Sequence, residues 1–156
     1  MESVYIETTI ISYLVSRSSR DVVIAGHQQT TQSWWRERRL AFDCYISQAV
    51  IDEISLGDPA ESTKRRSLVK AMAMLEVTRQ AERLAERILE SRVIPAKAVR
   101  DTTHIALATV HGIDYLLTWN CRHIANAQIL RKVSEICRDE GYAMPVVCTP
   151  DELMGE

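Results

Sequence analysis

The chain predicts an α/β protein: a parallel sheet covered by helices on both faces. Three observations carry that expectation. Short runs of strand-forming residues alternate with longer segments of helical periodicity along the whole chain. Breaks at Gly57-Asp58-Pro59, Gly112 and Gly141 separate them. The 156 residues suffice for one well-cored domain and are short for two, and no internal repeat or low-complexity stretch interrupts them, so residues 1–156 read as a single domain.

The elements follow in order. Val4, Tyr5 and Ile6 read as a short buried strand, and Thr8 or Thr9 caps a helix over Ile10–Leu14. Residues 21–38 read as helical, with Val22, Val23, Ala25, Trp34 and Trp35 as apolar positions and a polar interruption from Gln28 to Gln32. Ala41–Ile46 is a second strand, after which Ser47 caps a helix running through Ile54. Beyond the Gly57 break, Ser62–Met74 reads as a helix and Leu75–Val77 as a short strand. Ala81, Leu84, Ala85, Ile88 and Leu89 follow i, i+3, i+4, i+7, i+8 spacing, the strongest helical signal in the chain. Arg92–Pro95 ends that helix, and Lys97–Val110 forms the next, with Gly112 as its stop. Tyr115–Thr118 is a strand, Ile124–Arg138 a helix, and Val146–Cys148 a last strand before a turn opened by Thr149.

Composition excludes some classes. A net charge of -2 argues against a broad, sequence-independent grip on nucleic acid, which usually takes a basic protein. No apolar run approaches the roughly 20 residues that span a bilayer, and no basic-then-apolar leader is visible. The expectation is a cytoplasmic protein without membrane contact. Cys44, Cys121, Cys137 and Cys148 form no CxxC pair and no zinc-type spacing, so reduced and mostly buried thiols are expected.

Four widely spaced segments set acids or amides among apolar residues, where a charge needs a partner: VYIETT (Val4–Thr9), VIDEI (Val50–Ile54), VRDTTH (Val99–His104) and LLTWN (Leu116–Asn120). In an open parallel sheet, ligands bind beyond the carboxyl ends of the strands, where strand order reverses. Glu7 follows the first strand and Asn120 the fourth, while Glu53 and Asp101 lie on helices that can face the same edge. Oxygen ligands converging in this way suit Mg²⁺ or Mn²⁺, and so a metal-dependent enzyme acting on phosphate. Each residue also has a plain structural reading. Glu7 and Asp101 suit the first turn of a helix; Asn120 suits a turn. Asp52 and Glu53 point about 100° apart, and periodicity does not choose between them. His104, at i+3 from Asp101, is read as a satisfied core histidine or as a partner to a ligand. His27 and His111 read as surface residues; His123 and Asn126 read as caps of the helix that follows.

Arg17 and Arg20, just beyond the first helix, are the best candidates for a phosphate contact. Arg79, Arg83 and Arg87 alternate with glutamates and read as a solvated helix face. Trp119 could stack on a base, whereas Trp34 and Trp35 read as core or interface.

Together the segments VYIETTIISYL, SQAVIDEI, DTTHIALA and LLTWN resemble, in order and spacing, the motifs of the PIN-domain family, in particular its toxin-type endoribonucleases from prokaryotic toxin–antitoxin pairs. The resemblance implies a three-layer α/β/α sandwich with a central parallel sheet, cutting RNA with Mg²⁺ or Mn²⁺. It implies Glu7, Glu53 and Asp101 as metal ligands, favouring Glu53 over Asp52, with Asn120 completing the catalytic set. Thr8, His104, Thr118 and Arg17 would then support those ligands or touch the RNA. It further implies a homodimer and an inhibitory antitoxin partner. Two residues depart from the family pattern: Glu7 and Asn120 each stand where Asp is common. The competing expectation is a catalytically impaired PIN-like module that acts by binding RNA or protein. A small-molecule phosphatase fits less well, because it would use an Asp where Glu7 stands.

Overall fold

Val4, Tyr5 and Ile6 are completely buried, and the strand they build, β1 (Ser3–Ile6), is the centre of the sheet. The structure is a computed structural model describing residues 1–156. From β1 the chain runs through α1 (Thr8–Val15) and α2 (Val22–Glu37) to β2 (Asp43–Ser47). It continues through α3 (Gln48–Ile54) and α4 (Pro59–Val69) to β3 (Ala73–Leu75). Then come α5 (Arg79–Glu90), α6 (Val99–Val110), β4 (Tyr115–Leu117), α7 (Ala127–Asp139) and β5 (Val146–Cys148).

The five strands are all parallel, in the order β3-β2-β1-β4-β5. The chain steps outward from β1 to β3, then returns across the sheet to β4 and β5. Right-handed crossovers put outward-step helices on one face and return-step helices on the other. Accordingly α1 packs against α2, α3 and α4, and α5 against α6 and α7. The result is a three-layer α/β/α sandwich. One cluster of 27 buried residues joins both faces through the strands. The order reverses between β1 and β4, so the crevice expected of such sheets opens at their carboxyl ends, just where Glu7 and Thr118 follow their strands.

Several elements differ from the sequence reading. The polar stretch Gln28–Gln32 does not interrupt α2, because its buried side chains, Gln28 and Thr31, have partners and Gln29 and Gln32 face solvent. Gln28 donates to the Arg17 carbonyl and accepts from the Ser19 amide, while Thr31 donates back to the His27 carbonyl. The strand expected over Leu75–Val77 lies two residues earlier, where Ala73, Met74 and Leu75 pair with Tyr45, Ile46 and Ser47. The preceding helix therefore ends at Val69: ladder pairing with β2 overrides the helical preference of Ala and Met. Helix α1 is capped by the Glu7 carboxylate, which accepts from the Thr9 amide, and not by a threonine. Ser47 stands at the N-cap of α3, yet makes no capping bond, because its hydroxyl is taken by Tyr5. Gly112 and Gly141 follow α6 and α7 at φ 66 and 86, the left-handed region that lets glycine stop a helix.

Candidate functional site

Glu7 leaves the carboxyl end of β1 with 2% exposure. Its backbone amide continues the ladder to the Leu117 carbonyl of β4, which holds it at the point of strand reversal. The carboxylate accepts from the Thr9 amide at 2.7 Å and from the Thr118 hydroxyl at 2.9 Å. It makes no salt bridge. Burial pushes its carboxyl above the usual range; the hydrogen bonds from Thr9 and Thr118 offset only part of that.

Glu53 comes from the last turn of α3. Its Oε1 accepts from the Thr8 hydroxyl at 3.1 Å and is bonded to His104 Nε2. Burial pulls its pKa up, but the hydrogen bonds from His104 and the Thr8 hydroxyl, with the nearby Arg100, outweigh that and lower it. Asp52, its neighbour, is exposed and bonded to Gln48 on the surface. The fold thus separates two acids that periodicity could not.

His104 is 1% exposed and is held on both sides: Nε2 on Glu53, Nδ1 on the Tyr5 hydroxyl at 2.7 Å. The Tyr5 hydroxyl also meets Ser47 Oγ at 2.6 Å. Asp101, one turn before His104 on α6, bonds His123 Nδ1 at 3.0 Å. Glu53, Asp101, His123, Lys97 and Arg100 line one open cleft of about 600 Å³. Glu7 does not line this cleft, but its chain neighbour Thr8 bonds Glu53, which does.

The remaining residues fall out differently. Asn120 turns the chain after β4: its Oδ1 accepts the His123 amide and its own amide donates to Thr118. Its side-chain oxygen is therefore engaged in the turn. Arg17 lines a different cleft, with Asp58, Glu61 and Arg65. Trp119 has His27 stacked on it at 4.0 Å and 10°, with Tyr13 stacked at 6.4 Å, and it donates to the Thr31 hydroxyl. This makes Trp119 an anchor of α2 and gives His27 a role that the sequence reading missed. His123 is likewise no helix cap; Asn126 alone caps α7. A histidine three residues beyond Asn120 was the only available hint.

No three His, Cys, Asp or Glu side chains stand as a ready-made ligand cluster. Each acid rests on its own hydrogen-bond partners. Still, Glu53 Oε2 and Asp101 Oδ1 make no hydrogen bond, and Glu7 is a buried carboxylate served only by neutral donors. Carboxyl oxygens of this kind are hard donors of the type that Mg²⁺ or Mn²⁺ takes, though they do not stand together as one ligand cluster.

Compared with known proteins, the chain matches no family model and no curated protein sequence. Fold and site together define an α/β/α protein with a carboxylate–histidine crevice at the carboxyl edge of its sheet.

Proposed function

We propose that the protein is a divalent-cation-dependent endoribonuclease of the PIN-domain kind, the toxin of a toxin–antitoxin pair acting in the cytoplasm. The observation that carries this reading is Glu7: a carboxyl group nearly sealed from water, without a salt bridge, at the strand reversal, and followed by Thr8, which bonds Glu53 beside the cleft that Glu53 lines with Asp101. A structural acid would be expected to have a cation or to stay exposed. Glu7, Glu53 and Asp101 would hold Mg²⁺ or Mn²⁺, which when bound lowers the pKa of water and neutralises charge on a phosphodiester. The Thr118 hydroxyl orients Glu7, and Thr8 and His104 orient Glu53. Lys97, Arg100 and His123 line the cleft and suit an RNA phosphate. No helix is long and apolar enough to cross a membrane, and all four cysteines are free. The homodimer and the antitoxin belong to the same proposal and rest on the sequence resemblance alone.

The deciding experiment is cleavage of single-stranded RNA with Mn²⁺, with Mg²⁺ and with EDTA, for wild type and Asp101→Asn. Metal-dependent cutting that EDTA abolishes and the variant loses, with an unchanged circular dichroism spectrum, is the expected result. Cleavage retained in Asp101→Asn, or insensitive to EDTA, would reject it. The engagement of the Asn120 oxygen by His123 favours a second reading, an impaired module that binds RNA or protein without cutting. RNA binding without cleavage in any metal would select that reading.

A further inference from the structure

A buried chain of four side chains runs behind Glu53. Ser47 Oγ meets the Tyr5 hydroxyl, that hydroxyl meets His104 Nδ1, and His104 Nε2 meets Glu53. Ser47 and Tyr5 are fully buried, and His104 is nearly so. None of the four has an orphaned buried polar atom. They come from four elements, so the chain cross-links β1, the end of β2, α3 and α6. The order of donors follows from the ends. Glu53 Oε1 already accepts from the Thr8 hydroxyl, and a carboxylate has no hydrogen to give, so Nε2 carries the hydrogen. In a neutral imidazole Nδ1 is then an acceptor, the Tyr5 hydroxyl donates to it, and Ser47 donates to Tyr5.

We infer that Tyr5, pinned by Ser47, is a positioning residue: its hydroxyl holds His104 as the Nε2–H tautomer, which turns Glu53 so that Oε1 faces inward and Oε2 stays free for the cleft. This rests on the cation-binding reading of Glu53 and adds Tyr5 and Ser47, which touch no substrate. Histidine–carboxylate pairs that support metal ligands act through orientation, and removing such support typically costs 10–100-fold in metal affinity. The hydroxyl, not the aromatic ring, does the positioning, so an isosteric loss of one oxygen is the test.

In Tyr5→Phe, His104 loses its Nδ1 donor. We expect the ¹⁵N resonances of His104 to leave the pattern of a single hydrogen-bonded Nε2–H tautomer. We expect the Mn²⁺ concentration for half-maximal heat stabilisation to rise about tenfold or more. In Ser47→Ala, Tyr5 still reaches His104, so the same changes are expected in smaller size; Ser47→Thr keeps a hydroxyl and restores wild-type behaviour. If Tyr5→Phe lowers the melting temperature but leaves both the His104 resonances and the Mn²⁺ midpoint unchanged, Tyr5 only packs and the inference is overturned. Should Tyr5→Phe fail to fold, Ser47→Ala decides by the same two readouts. If wild type shows no Mn²⁺ response, the cation reading of the site fails. The His104 resonances of Tyr5→Phe then still judge the tautomer lock by themselves.

Discussion

An ionised carboxylate that is 2% exposed and lacks a salt bridge weakens the fold that holds it. Because burial raises the Glu7 pKa above its ordinary value of 4.5, folding favours its protonated form. Its contribution to stability is complete below the unfolded-state value and is lost as pH rises through the folded-state value. Glu53 has the opposite sign. With its pKa lowered by His104, its contribution is present above the unfolded-state value and is lost as pH falls through the folded-state one. In EDTA, Glu7→Gln is therefore expected to raise the melting temperature at pH 7 by about 2–4 °C, the response to about 1 kcal/mol in a chain of this size. The amide fits, because Thr9 can still donate to its oxygen and the Thr118 hydroxyl can turn to accept. The same variant should lose stabilisation by Mn²⁺. Thermal scans against pH would show the wild-type decline above pH 4.5 flattened in Glu7→Gln. An unaltered decline would mean that Glu7 is not its source. Residue chemistry also explains what the sequence concealed here. Glu53 and Asp52 are equivalent by periodicity, and only the approach of Thr8 and His104 distinguishes them.

Helix α5 shows how far an element can be read locally. Its apolar stripe at Ala81, Leu84 and Ile88 is buried, and Thr78 accepts from the Ala81 amide as N-cap. Its end is less well suited. Arg92, just past the C-cap Ser91, sits at φ 60, where a side chain is strained and glycine is usual. Arg92→Gly is expected to stabilise the protein by about 0.5–1 kcal/mol, the relief of that strain less the added freedom of the unfolded chain. Urea unfolding should show a higher midpoint at constant m-value, and Arg92→Ala, which keeps the Cβ, should show no gain. By contrast β3 was misread by two residues, since three-residue strands carry too little local signal. Partners on β2 choose the register.

At the scale of the molecule, stability should grade outward from the centre of the sheet. β1 is paired on both sides, while β3 and β5 are three-residue edge strands, with Met74 and Val146 partly open to solvent. Hydrogen exchange is expected to be slowest at Tyr5, Ile6 and Leu116, and to be faster at Met74 and Val147. Protection of β5 equal to that of β1 would indicate that another chain covers this edge. The sequence by itself determined the alternation of strands and helices, the parallel sheet, and acids at its carboxyl edge, because periodicity, caps and breaks are local properties. It did not contain the pairing of Asp101 with His123, the stacking of His27 on Trp119, or the chain from Ser47 to Glu53. Those contacts join residues 22 to 99 positions apart. Pairing of β1 with β2 and the crossing of the chain from β3 back to β4 bring them together, and no local preference encodes that meeting.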